Sequence, residues 1–117
     1  MVDVNLKITE VTGKTWELTL LPKTTYTIGR AKDNDIILND QRVSRHHAHI
    51  NADETKFTLV DGYFISGQLN RSVNKVYVNG VPLLEKVLAN GDHIMIGGSH
   101  LQFEVSEKKN EIPEATV

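Results

Sequence analysis

The sequence predicts an all-β fold, a sandwich or a barrel, and three observations predict it. Apolar residues alternate with polar ones in short runs. Turn-forming pairs separate those runs. No stretch carries a helical period over the roughly 11–12 residues of an ordinary helix.

The elements follow in order. Val4, Leu6 and Ile8 share one face of a first strand, and the turn Thr12-Gly13-Lys14 leads to Trp16–Leu20 with the same alternation. Leu21-Pro22 ends that run. Tyr26–Ile28 and Ile36–Leu38 come next, divided by Asn34-Asp35 and followed by Asn39-Asp40. Ala48–Ile50 and Phe57–Val60 are further strands, and Asp61-Gly62 closes the second. Val76–Val78 runs into Asn79-Gly80, a two-residue hairpin signal because both residues tolerate positive φ. Leu83–Leu88 is the best helical candidate, but it is short and bounded by Pro82 and Gly91, so it reads as strand plus turn. His93–Ile96 and Leu101–Val105 flank Gly97-Gly98 and end the pattern.

Two regions stand outside the alternation. Gly62 to Arg71 reads as a long loop, either functional or mobile. Glu107 to Val117 is charged and contains a proline, so residues 1–106 are expected to form the domain and 107–117 a flexible tail or linker.

Composition narrows the function. A chain of 117 residues fits one domain and buries enough surface for a core of its own. It has no cysteine, which removes disulfides, thiolate chemistry and cysteine-bound zinc. A net charge of −2 and a pI near 6.2 argue against a general nucleic-acid binder. No apolar run reaches the roughly 18 residues of a membrane span, and the first residues lack a signal-peptide pattern. The expectation is a soluble cytoplasmic domain with no nucleic-acid or membrane partner.

One stretch points to a ligand. Gly29-Arg30 leaves one apolar run, and Ser44-Arg45-His46-His47 enters another. A guanidinium fork, a hydroxyl and a turn-forming glycine at neighbouring strand ends make an anion-binding set, suited to the oxygens of a phosphate. The blander alternatives are a solvated surface arginine at Arg30 and a turn-capping serine at Ser44.

Gly29-Arg30, Ser44-Arg45-His46-His47, Ser72-x-Asn74 and Val78-Asn79-Gly80 occur in that order, each at a strand end. With the closing segment from Leu88 to Val105, this arrangement resembles the forkhead-associated domain, over about residues 4–105. The resemblance implies a β-sandwich of about eleven strands in two twisted, mainly antiparallel sheets, with ligand loops at one end. It implies a phosphothreonine-peptide reader, a signalling or assembly module that performs no chemistry, needs no cofactor and often sits beside further domains. By the same resemblance Arg30, Ser44 and Arg45 contact phosphate, and Asn74 grips the peptide main chain. His47 braces the binding loops, while Gly29, Asn79 and Gly80 serve the backbone.

The chain departs from the family pattern at the third motif. Asn-Gly-Thr is replaced by Asn74-Lys75-Val76, and a position often held by a hydroxyl residue is Val73. Lys75 brings a cation and lacks glycine's freedom. Val73 cannot donate, a loss of about 1.5–3 kcal/mol if that bond to a charged group is missing. Arg71 could supply compensating charge, and Val73, Lys75 and Arg71 are candidate flanking contacts. The competing reading is a degenerate member used for phosphate-independent docking or dimerisation. A metal site among His46, His47, His49, His93 and His100 fits no familiar spacing, and no nucleophile elbow or triad accompanies Ser44.

Overall fold

Alternation buries one face of each strand, and two such faces pressed together make the core. The computed structural model describes residues 2–107, and the side chains of 3–106. It contains thirteen strands and no helix in that span. One sheet holds β1 (Val2–Thr9), β2 (Thr15–Thr19), β9 (Tyr77–Val78), β10 (Val81–Pro82), β12 (His93–Ile96) and β13 (Ser99–Glu107), in the order β10-β9-β12-β13-β1-β2. The other holds β3 (Thr25–Gly29), β4 (Ile36–Ile37), β5 (Ala48–Ala52), β6 (Phe57–Asp61) and β11 (Glu85–Val87), in the order β11-β6-β5-β3-β4. All these pairings are antiparallel except β3 with β4.

The sandwich itself therefore has the expected eleven strands. The remaining two, β7 (Tyr63–Ile65) and β8 (Gln68–Asn70), form a separate hairpin. A hairpin thus stands where Gly62–Arg71 was expected to be a long loop. The turn is Ser66-Gly67, with φ of 51° and 81°, between partners Ile65 and Gln68. A Ser-Gly pair between short β-prone runs is a recognised turn signal. The hairpin lies over the outer face of β5. His49, on that face, is only 4 % exposed, its Nδ1–H donates to the Gly62 carbonyl at 2.7 Å, and its ring is 6.0 Å from that of Phe64.

The core lies between the two sheets. Leu6, Ile8, Ile28, Ile50, Leu59, Ile94, Leu101 and Phe103 are essentially inaccessible, as the alternation requires. Each such side chain contributes roughly 1.5–3 kcal/mol by leaving water. The Asn79-Gly80 hairpin forms as expected, with φ of 53° and 85° and Val78 opposite Val81. Asn79 does more than turn the chain: its Nδ2 donates to Asp92 at 2.9 Å, and its Oδ1 accepts from the His93 amide at 3.0 Å. Leu83–Leu88 supplies strand β11, not a helix. The tail read from Glu107 onward lies outside the described residues, apart from Glu107 itself, whose backbone pairs with Val2. Among the described residues no helix is long and apolar enough to cross a membrane.

Candidate functional site

The loops that follow β3, precede β5 and precede β9 are stitched together by hydrogen bonds that cross between them. The Arg30 amide donates to the Ser44 carbonyl at 3.0 Å, and the Ala31 amide to the Arg45 carbonyl at 3.0 Å. Asn34, only 6 % exposed, donates through Nδ2 to both the Ala31 and Arg45 carbonyls at 2.8 Å. Gly29 is explained by this closeness. Its φ is not left-handed; a Cβ there would overlap the Arg45 carbonyl oxygen.

His47 joins the second loop to the third. Fully buried, it accepts the Ser44 amide on Nδ1 at 2.9 Å and donates Nε2–H to the Lys75 carbonyl at 2.8 Å. One acceptor and one donor on the same ring require the neutral imidazole with its proton on Nε2. Burial pushes its pKa below the ordinary value, outweighing the Lys75 carbonyl and the nearby Asp61 carboxylate, which act the other way. Neutrality and the brace are thus one arrangement. Two further ties complete it: Asn74 Nδ2 donates to the Arg42 carbonyl at 2.8 Å, and the Val73 amide to Ser44 Oγ at 3.3 Å.

Arg30 is exposed, and its Nε–H donates to the Val43 carbonyl at 3.0 Å. That bond aims the guanidinium beside Ser44 and leaves the terminal nitrogens without a described partner. Ser44 Oγ, which accepts from Val73, keeps its own proton for a ligand. Asn74 keeps its Oδ1. Arg30, Ser44 and Asn74 thus gather at one end of the sandwich, each fixed through one atom with another left open. Arg45 is exposed, and its backbone rather than its side chain makes the described ties.

The flanking candidates divide. Val73 is 83 % exposed beside Ser44. Lys75 is exposed with φ of 67°, a left-handed conformation that costs an ordinary residue roughly 1–2 kcal/mol. Arg71 sits behind, its Nη1 donating to the Asp61 carbonyl at 3.0 Å and the Leu84 carbonyl at 3.3 Å. Asn79 and Gly80 belong to the scaffold around Asp92.

Sequence reasoning missed several supports. Asn34 and Asp40 were read only as turn residues. Asp40 binds Arg42 through both oxygens at 3.1 Å and accepts the Gly98 amide at 2.6 Å. Burial raises its pKa, but the hydrogen bonds from Arg42 and Gly98 outweigh that and hold it below the ordinary carboxylate value. Asp61, 2 % exposed, accepts the Ser72 amide at 2.7 Å. The histidines do not converge: His46 contacts Asp33 at 2.9 Å with its ring tilted against that of Tyr63, whereas His93 pairs with His100. Among the described residues no group of three or more His, Asp or Glu could hold a metal ion.

Fold and loops together define a β-sandwich whose braced loops present a guanidinium, a hydroxyl and an amide at one end. Residues 26–97 match the model of the FHA domain, and the chain belongs to that family, one of phospho-motif readers. It is similar to the glycogen accumulation regulator GarA of Mycobacterium tuberculosis, 38 % identical over 92 residues, covering 79 % of this chain and 52 % of GarA. The chain spans about half the length of the curated relatives it matches. Among solved structures it resembles the Slr1951 protein from Synechocystis sp., with TM-score 0.78 and 31 % identity over 92 % of this chain and all of that one. It also resembles an FHA domain studied for phosphothreonine-dependent interactions, with TM-score 0.69 and 31 % identity over 87 % of this chain and 95 % of that one.

Proposed function

We propose that this domain binds a phosphothreonine-containing segment of a partner protein and performs no chemistry on it. Arg30, Ser44 and Arg45 hold the phosphate, and Asn74 holds the main chain beside it. The observation that carries the reading is the Arg30–Ser44–Asn74 cradle, in which each side chain is anchored through one atom and offers another. A guanidinium held by its Nε presents a preorganised fork, so less conformational freedom is lost on binding. The FHA family and its phosphothreonine-dependent member support the ligand class. A cytoplasmic setting, and fusion or assembly with further signalling domains, fit the same reading.

The test is calorimetric titration with one peptide in phosphothreonine, phosphoserine and unphosphorylated forms, drawn from a phosphothreonine library. Selective binding of the phosphothreonine form is expected, and no preference for it would sink the proposal. Val73 favours a second reading, phosphate-independent docking, because an 83 % exposed valine stands where a donor would help. Arg30→Ala separates the two: it weakens phosphopeptide capture about 100-fold and leaves a phosphate-independent contact intact.

A further inference from the structure

Phosphate binding leaves two cations unused. A phosphothreonine carries close to two negative charges at neutral pH, which Arg30 and Arg45 balance. Lys75 and Arg71, which flank Asn74 in the chain, remain. Lys75 forms a wall of a cavity of about 220 Å³ whose other sides are Asp61, Pro82, Leu83 and Leu84. Arg71 is clamped by Nη1 to the carbonyls of two of those residues, Asp61 and Leu84. Neither Lys75 nor Arg71 has a carboxylate partner among the described residues. The one acid facing the cavity is Asp61, which is 2 % exposed and receives the Ser72 amide. Two cations against one enclosed carboxylate leave the mouth of the cavity positive.

The backbone adds a second observation. Lys75 holds a left-handed φ of 67°, which glycine adopts more easily. What glycine lacks is the ammonium. The Lys75 carbonyl is fixed by His47, so the stem of the side chain starts from a set position next to Asn74.

We propose that Lys75 and Arg71 form a basic subsite, which selects ligands carrying a glutamate or aspartate close to the phosphothreonine. The carboxylate meets the ammonium and the free guanidinium nitrogens, and its methylenes lie on Pro82, Leu83 and Leu84, as amphipathic side chains prefer. Because Asn74 and Lys75 are adjacent in the chain, the acidic residue is a near neighbour of the phosphorylated one. The inference rests on the phosphothreonine reading above.

The experiment uses one phosphothreonine peptide in neutral-flank form, with glutamate placed at each nearby position, and with a second phosphoserine at the same positions. Affinities are measured for the wild type, Lys75→Gly and Arg71→Gln. Lys75→Gly removes the charge while relaxing the backbone, so misfolding does not explain its result. Glutamate at one flank position is expected to tighten wild-type binding about two- to fivefold, in line with exposed charge pairs. Lys75→Gly is expected to erase that gain and to leave the neutral peptide's affinity within about twofold, the change an exposed charge makes. Equal affinity for all flanks, a gain that survives in Lys75→Gly and Arg71→Gln, or a gain for phosphoserine alone overturns the subsite. Tight binding with a flat flank profile overturns it while keeping the phosphothreonine reading, whereas no binding of any phosphothreonine peptide overturns both.

Discussion

Arg30 and Arg42 lie at the same end of the sandwich and differ in what holds them. Arg42 is locked to the Asp40 carboxylate through Nε and Nη2, both at 3.1 Å, so its charge is answered within the fold. Arg30 is held by a neutral carbonyl, that of Val43, so its geometry is fixed and its charge is not answered. The lesson concerns function: an arginine becomes a ligand group when its anchor takes a proton donor and leaves the charge. The sequence singles out Arg30 by its place after Gly29 at a strand end, but it does not show what anchors either side chain.

The comparison breaks most clearly under truncation. Arg30→Ala is expected to weaken phosphothreonine-peptide binding about 100-fold, within the roughly 2–5 kcal/mol seen when one partner of an interfacial charge pair is removed. Its Tm should move little. Arg42→Ala is expected to lower affinity at least about tenfold less, since its charge is already paired, and to show mainly in stability. Calorimetry and thermal melts on both variants check this. Equal affinity losses would remove the distinction.

Val73 sharpens the same point from the opposite side. Val73→Thr supplies the hydroxyl that the cradle lacks, and about 1.5 kcal/mol, roughly a tenfold gain in phosphopeptide affinity, is expected. Titration of the variant measures it. No gain would mean that position 73 faces away from the phosphate.

A smaller effect separates two left-handed residues, Lys75 and Asn79. Lys75→Gly relieves a backbone penalty of roughly 1–2 kcal/mol and adds roughly 0.5–1 kcal/mol of unfolded-chain freedom, so Tm should rise by a few degrees. Asn79→Gly should lower Tm instead, because Asn79 also binds Asp92 and His93 through its side chain. Differential scanning calorimetry distinguishes the signs.

The smallest effect is in acid. Asp40's carboxyl is held below its ordinary value of 3.8, so its bonds to Arg42 and Gly98 add stability above that pH and lose it as pH falls through the depressed pKa. His47, also depressed, acts in the same direction at higher pH: its contribution is present above its ordinary 6.5 and declines as pH falls below it. Melts from pH 7 to 3 on wild type and Asp40→Asn should show the wild-type advantage shrinking toward the acid end. A constant difference would contradict the assignment.

Much of this was legible in the residues. Period-two alternation marked the core faces of β1, β3, β12 and β13, because one buried face imposes it directly. Asn79-Gly80 announced its own hairpin. Arg30, Ser44, His47 and Asn74 were readable as an ordered set at strand ends. The supports were not. Asn34 reaches Arg45 eleven residues away, and Asp40 reaches Gly98 fifty-eight residues away; such pairings exist only after the sheets form and leave no local period. The β7–β8 hairpin carried a turn signal, but its outer face shows no clean alternation: Phe64 is 61 % exposed although its ring lies over His49. Gly29 was recognised as a backbone requirement, and only the approach of the Arg45 carbonyl shows that closeness rather than a left-handed turn demands it.

The central claim is that the braced loops at one end read a phosphothreonine. Backbone and arginine side-chain NMR shifts followed during titration with a phosphothreonine peptide test it most directly. The account predicts the largest changes at Arg30 Nε–H, Ser44, Arg45 and the Asn74 side-chain amide, and none there with the unphosphorylated peptide. Changes centred on the β7–β8 face, or equal changes with and without phosphate, would contradict it.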